Sequence, residues 1–445
     1  MAGLTRARIP VPAQPVQPSR PIRPEPLSAR TGTWAQTSPT GRTLLIAVLL
    51  TGLTTFMFLP LLAVRLTAQG IPAGRTGFLV GLLAFSGQGF SLVSGLSVDR
   101  FGARRIMTAG FVLRTAGYLL LGLGLGDTTR PVPLVAGIVT IGVGGSLLGL
   151  SIKTLLVTQP GIEARAMLAL RSTFVNIGVV VGPALGALAY PFGFRLILSA
   201  CVLSHVVLGG CLLLRPIEDN VARPRPAAAA PASAGRSRPG QTPPGRTPAA
   251  EPVARPWARR HWATFFLLGI AYWAIYSQLN VVLPITAQRM TGSATAISVV
   301  FTVNGALVVL LQYTLLRHVF RRTTARTLLV IGFLAFACAY AALVPQAGWY
   351  SLLAFVLPVT VAEMLIGPSL DEQAVEAASA RRTGLALGTM SMAGACGSLV
   401  GAGLGGCLLE APGGGAAVWL VIIALSLAAA ACCCLLPHAS ARQAA

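Results

Sequence analysis

Twelve stretches of mainly apolar residues run through the 445-residue chain, and each reaches the roughly 17 to 25 residues that a helix needs to cross a hydrocarbon core about 30 Å thick. In lipid every backbone N–H and C=O must find its partner within the protein, so runs of this length and spacing leave the helix as the spanning element. The first six spans are read at 43–64, 76–98, 105–125, 132–152, 168–190 and 196–214. The second six are read at 262–286, 293–316, 326–345, 348–369, 383–406 and 415–436. With 54% hydrophobic and only 10% charged residues, against about 25% charged in soluble domains, the chain reads as an all-α polytopic membrane protein.

Its net charge of +22 raises the question of nucleic acid, and the distribution of the charge answers it. With both termini placed in the cytoplasm, 27 of the 34 basic residues fall in cytoplasmic segments, five (Arg65, Arg75, Arg130, Arg195, Arg289) fall outside, and Arg114 and Arg171 fall within spans. This is the positive-inside asymmetry. The arginines report orientation and contact with anionic lipid, and no nucleic-acid partner is expected. Residues 1–42, rich in proline and arginine with one acid, Glu25, lack the apolar core of a secretory signal and read as a disordered cytoplasmic tail. Residues 215–260, rich in Pro, Ala and Arg, read as a cytoplasmic linker. They separate a six-helix bundle at 43–214 from a second at 261–436, which a short cytoplasmic tail at 437–445 follows.

The two halves repeat. Leu59-Pro60-Leu-Leu-Ala63-Val-Arg65-Leu-Thr67 near the end of span one matches Leu283-Pro284-Ile-Thr-Ala287-Gln-Arg289-Met-Thr291 near the end of span seven, at an offset of 224 residues. Six spans between equivalent points preserve orientation, as in a parallel repeat about an axis along the membrane normal. One element is not repeated: the loop between spans eight and nine carries Arg317, His318, Arg321, Arg322 and Arg326 but no acid. That makes the acid of the corresponding first-half loop, Asp99, singular.

That loop reads Gly95-Leu-Ser-Val-Asp99-Arg100-Phe-Gly102-Ala-Arg104-Arg105. Its glycines permit a tight turn, and its acid and arginines sit at a membrane surface where they can pair with each other or with helix ends. The pattern resembles the loop between spans two and three of the major facilitator superfamily of transporters. In span five, Gly178-Val-Val-Val-Gly182-Pro183-Ala-Leu-Gly186 sets glycines four apart on one face, which lets helices approach closely, with a proline to bend the helix. It resembles the span-five motif of the twelve-span drug/proton antiporter branch, where it packs against the other half and favours exchange over uptake. Span eleven is glycine-rich as well (Gly394, Gly397, Gly401, Gly403, Gly405, Gly406). The resemblance implies the major facilitator fold, two pseudo-symmetric six-helix bundles that alternate access to a central site, with the Asp99 box as a conformational latch. The chain departs from that branch at Ala187, usually glycine there; in span four, Ile138-Val-Thr-Ile-Gly-Val-Gly-Gly-Ser146, which lacks the branch's arginine; and in span one, which has no acid.

Ionisable groups inside a membrane are costly and are functional candidates by default. Arg114 lies nine residues into span three, about 13 Å at 1.5 Å per residue, near mid-membrane. Arg171 lies nearer the cytoplasm, within snorkelling range. Glu363 is the acid within a span and the leading proton carrier, because desolvation favours its neutral form and a nearby arginine its ionised form. Arg114 and Arg171 complete the coupling candidates, and His205 in span six reads as a hydrogen-bonded core histidine. Polar and aromatic groups at mid-membrane supply the substrate candidates: Phe85, Gln88 and Phe90 in span two, Tyr272, Trp273, Tyr276, Gln278 and Asn280 in span seven, and Asn304 in span eight. Their aromatic faces suit a planar or lipophilic guest and attract a cation.

The eight cysteines lie in or at the ends of apolar spans and behave as small hydrophobes. No Cys-x-x-Cys pair, phosphate loop or paired catalytic carboxylates occur, so neither a cofactor nor enzyme chemistry is expected and the energy must come from an ion gradient. The resulting expectation is a monomeric secondary transporter of the cell membrane that exchanges lipophilic or amphipathic small molecules for protons. An uptake permease or narrow metabolite exporter of the same fold is the first alternative, and a non-transporting sensor the second. Against a sugar porter, the chain reads Leu214-Arg215-Pro-Ile-Glu218 and Leu436-Pro437-His438 where that family carries Pro-Glu-Ser/Thr boxes.

Overall fold

The computed structural model describes residues 36–126, 129–159, 164–214, 259–314, 320, 323–377 and 383–436. The predicted linker falls almost wholly outside them, as do residues 1–35 and 437–445. Helix α1 (Pro39–Ala68) starts four residues inside the predicted tail, where the hydroxyl of Ser38 accepts the N–H of Gly41 at 3.0 Å and proline fills the first turn. It is followed by α2 (Ala73–Gly89), α3 (Ser91–Phe101), α4 (Ala103–Gly124), α5 (Pro131–Val157), α6 (Ala164–Ala189) and α7 (Phe194–Leu214). The second half holds α8 (Arg259–Tyr276), α9 (Val282–Thr291), α10 (Ala296–Thr314), α11 (Ala325–Ala341), α12 (Trp349–Ala377), α13 (Thr383–Glu410) and α14 (Gly414–Cys433).

Among the described residues ten helical segments are long and apolar enough to cross a membrane, and Ala296–Leu311 and Ala325–Ala341 are shorter apolar helices. Together they are the twelve spans. Two are interrupted. Span two breaks between α2 and α3 at Phe90, and span seven passes from α8 through the tight turn of Ser277–Asn280 into α9. Several helices outrun their apolar cores, since the helix continues through polar ends such as Arg65 and Thr67 as long as its backbone ladder holds.

The halves use one pairing scheme twice. In the first, α1 packs on α6, α4 on α5 and α4 on α7; in the second, α8 packs on α13, α11 on α12 and α11 on α14. These are the same span pairs displaced by six, as the repeat requires. The glycine rows obey it too. Gly178, Gly182 and Gly186 lie against Gly52, Leu53 and Met57 of span one, and Gly397, Gly401 and Gly405 lie against Ile270, Ala274 and Gln278 of span seven.

Between the halves, α2 runs against α13, α6 against α10 and α1 against α9. The two copies of the repeated Leu-Pro segment therefore sit on helices that touch. The seam is tightest at the end opposite the Asp99 box, where Gly77 meets Ala402, Gly81 meets Leu399 and Gly406 meets Ala73. There the carboxylate of Glu410 also accepts the N–H of Gly74, at 3.3 Å, across the seam. Toward the box end, contact between α3 and α13 is slight.

Candidate functional site

A cavity of about 480 Å³ lies between the halves. The first half contributes Thr55 and Phe56 from α1, Gln88 from α2, Arg114 from α4 and Ser146 from α5. The second contributes Trp273, Tyr276, Ser277 and Asn280 from span seven, Phe301 from α10 and Ser398 from α13. Of the substrate candidates read from the sequence, Gln88, Trp273, Tyr276 and Asn280 line this cavity. The others face elsewhere. Phe85 packs near Gly89; Phe90 is 39% exposed at the break in span two; Tyr272 is buried against Trp273, Tyr276 and Phe336. Gln278 turns away from the cavity and donates to the carbonyls of Ala274 and Gly401, both at 2.8 Å, tying span seven to span eleven.

Among the described residues Arg114 is the only formally charged one on the wall of this cavity, and only 7% of it is exposed. One terminal nitrogen of its guanidinium donates to the hydroxyls of Thr55 (2.7 Å) and Tyr118 (2.9 Å), and the carbon of the guanidinium lies 5.7 Å from the centre of the Tyr118 ring. The threonine is set for this role by its own helix. Its proton goes to the Thr51 carbonyl at 2.7 Å, which turns the oxygen lone pairs toward the arginine. A Cβ on Gly144 would come within 2.8 Å of the Arg114 backbone and Cγ, and one on Gly145 within 3.9 Å of its guanidinium. The glycine pair that leaves span four without a charge is thus the gap into which span three delivers one.

A smaller cavity, about 150 Å³, shares Thr55, Phe56, Arg114 and Gly145 with the first and continues inside the first half between α1, α4, α5 and α6. Arg171 lines it from α6. In the second half, Glu363 accepts a long hydrogen bond, 3.4 Å, from the amide of Asn304, and neither residue reaches the central cavity. His205 is wholly buried between Phe111 and Tyr118, with Nδ1 2.8 Å from the Cys201 carbonyl.

At the box end Gly102 takes φ +86°, a left-handed conformation that glycine adopts at little cost, and so turns α3 into α4. Gly95 has nothing nearer to its would-be Cβ than Leu150 at 3.6 Å. Asp99 and Arg105 are exposed and Arg100 lies over Phe101, while Arg104 donates to the Leu213 carbonyl at 3.2 Å. The Asp99 carboxylate makes no ion pair or hydrogen bond among the described residues.

The span-five motif differs from its implied geometry. The resemblance puts its glycines against the other half, but Gly178, Gly182 and Gly186 face span one of their own half. Contact with the other half falls to their neighbours, Val179 and Val180, against Gly305 of α10. Glycines four apart form a single stripe, and that stripe is used up where α1 approaches most closely.

The sequence reading missed Thr55, Tyr118, Ser146, Ser277, Phe301 and Ser398. A signal for Thr55 existed: Thr51, Thr54 and Thr55 form a polar patch in an otherwise apolar span.

Comparison with known proteins gives a consistent family. A family model described as Major Facilitator Superfamily matches residues 44–395. A protein of Aeromonas salmonicida named multidrug resistance protein MdtH is 25% identical over 379 residues, covering 82% of this chain and 86% of its own length. An uncharacterized MFS-type transporter of Mycobacterium tuberculosis is 30% identical over 146 residues, 33% of this chain and 34% of that protein. Among solved structures, the nucleoside transporter NupG superposes with a TM-score of 0.70 at 14% identity, covering 89% of this chain and 99% of that one. A peptide transporter POT in complex with sulfate superposes with a TM-score of 0.70 at 13% identity, covering 91% and 97%. At such identities the likeness is one of fold.

Proposed function

The chain belongs to the Major Facilitator Superfamily, and from that premise we propose that it is a proton-coupled exporter of lipophilic or amphipathic small molecules, working by alternating access. The observation that carries the reading is the central cavity, to which both halves contribute aromatic rings and polar groups (Gln88, Arg114, Trp273, Tyr276, Asn280) around largely apolar walls. Such a site holds a guest by burial and orients it by a few hydrogen bonds. Similarity to proteins named multidrug resistance protein MdtH supports export of varied compounds.

The arginine-rich loops favour an orientation with the box end and both termini in the cytoplasm. The halves are then sealed at the outer end, by the α2–α13 seam, and parted at the inner end, an inward-open arrangement. In it Asp99 has no partner among the described residues. Closure of the inner end brings Asp99 and its arginines into charge pairs across the halves, and making and breaking these biases the equilibrium between the two states. Glu363, hydrogen-bonded to Asn304, carries the proton, and loading it is linked to the same rocking motion. The work is done by one copy of the chain in the cell membrane.

Inverted membrane vesicles with an acid interior test this. Addition of several unrelated lipophilic compounds is expected to dissipate the pH gradient, and vesicles bearing Glu363→Gln or Asp99→Asn are expected to lose the response. A gradient indifferent to every such compound, in vesicles that contain the folded protein, refutes drug–proton exchange and turns the search to uptake in right-side-out vesicles.

A further inference from the structure

The small cavity beside the central one carries positive charge that no described residue on its wall balances. Arg114 and Arg171 both line it, from two different helices, and among the described residues no carboxylate does. The Nε of each guanidinium is buried without a hydrogen-bond partner. Arg114 is nine-tenths buried and its contacts are neutral hydroxyls. Thr51 and Thr55 also line the space, but their protons are committed to the carbonyls of Ala47 and Thr51, each at 2.7 Å, so the uncommitted donors among the described residues of its wall belong to the two guanidinium groups. Two like charges facing one space repel each other and leave donors unpaired, which is costly until an anion is supplied.

We infer that this cavity is an anion site: a carboxylate-sized negative group docks between Arg114 and Arg171. Its dimensions fit the assignment. About 150 Å³ accommodates a carboxylate or a chloride, and the two guanidinium groups on its wall favour either over an apolar ring. The adjoining cavity of about 480 Å³, with Trp273, Tyr276 and Phe301 on its far wall, accommodates the ring system. Because Arg114, Thr55, Phe56 and Gly145 belong to both spaces, one amphipathic monoanion can fill the pair, its head in the small cavity and its planar body in the large one. The charge on the wall reverses the cation preference that the aromatic residues alone suggest: a cationic guest in the central cavity meets a guanidinium and, among the described residues, no acid. Assignment of the body to the central cavity rests on the transport reading above; the anion site itself does not. The anionic group has two sources, the substrate's own carboxylate or free chloride, and binding experiments separate them.

Calorimetric titrations of the full-length protein in detergent, in a low-ionic-strength buffer without small anions, would use naphthalene-2-carboxylate, its uncharged amide, naphthylmethylammonium and sodium chloride. The carboxylate is expected to bind about tenfold or more tightly than the amide or the ammonium, the difference that a charge-assisted hydrogen-bonded pair makes. In Arg114→Gln and in Arg171→Gln the acid and the amide should become alike. If the acid outbinds the amide and chloride competes only feebly, the site takes the substrate's own head group. If chloride saturates the wild type, fails to bind the arginine variants, and the acid is no better than the amide, the site takes the free ion. Both results support an anion site. Equal binding of acid, amide and ammonium together with no saturable chloride effect overturns it, as does an acid preference that survives both substitutions. Should Arg114→Gln not elute as folded protein, Arg171→Gln and the head-group series on the wild type still decide. Arginine-dependent binding in a protein that transports nothing would refute the transport reading and leave the site standing; transport of neutral compounds without such binding would do the reverse.

Discussion

In the first half the charge at the central cavity is the guanidinium of Arg114, held by the hydroxyls of Thr55 and Tyr118 and seated on the cavity wall. In the second half it is a carboxyl, held by the amide of Asn304 and set back from that cavity. Yet the helices around them pair in the same pattern, span one on five and seven on eleven, three on four and nine on ten. Glycines occupy equivalent seams in both. Repetition therefore governs backbone approach, where only the absence of a side chain matters, and not chemistry, where each half has its own residue. The division suits a machine in which one half grips the guest and the other senses the gradient.

The packing side of this comparison breaks with the largest effect. Gly401→Leu would drive a side chain into the backbone of Ala274, and Gly182→Leu would drive one into Leu53 and Phe56. Each is expected to cost about 3 kcal/mol or more of stability, read as loss of folded protein in the membrane. If one half tolerates its leucine and the other does not, the packing symmetry is not shared in energy. The chemical side sharpens next. Arg114→Gln is expected to lower transport about tenfold or more, because a charged donor is lost at the guest, whereas Glu363→Gln should leave binding intact and remove the response to a proton gradient. Identical phenotypes for the two variants in paired binding and vesicle assays would erase the proposed division of labour.

Smaller effects belong to the box. Gly102→Ala forces a side chain onto φ +86° and should lower the midpoint of thermal unfolding by an amount equivalent to about 1 kcal/mol. Gly95→Ala, whose Cβ would meet Leu150 at an ordinary 3.6 Å, should change stability by no more than about 0.5 kcal/mol. Equal shifts would mean that the turn is not held where α3 meets α4.

The twelve spans were legible because hydrophobic length alone decides whether a helix crosses lipid, and the repeat was legible because Leu59-Pro60 and Leu283-Pro284 survive in both copies. The breaks in spans two and seven were not. Gln278 and Asn280 lie two residues apart in one polar patch. Which of them meets the guest depends on how the tight turn of Ser277–Asn280 rewinds the helix, and no local pattern encodes that. The seat of Arg114 was half legible: its depth followed from counting residues, but its delivery into the gap at Gly144 and Gly145 depends on how spans three and four pack. The span-five motif shows the opposite limit. Its glycines were plain in the sequence, but a row of glycines says only that something comes close, not which helix does.

The α2–α13 seam has a consequence for how readily the molecule changes state. Gly77 and Gly406 rest on the backbones of Ala402 and Ala73, and Gly81 on that of Leu399. Each methylene withdrawn from water is worth about 0.8 kcal/mol, and a glycine has none to withdraw. At these three contacts, parting the helices uncovers backbone and no glycine side chain. In the alternating-access reading proposed above, a door hung on such contacts fits closely when shut and adds little hydrophobic resistance of its own to opening.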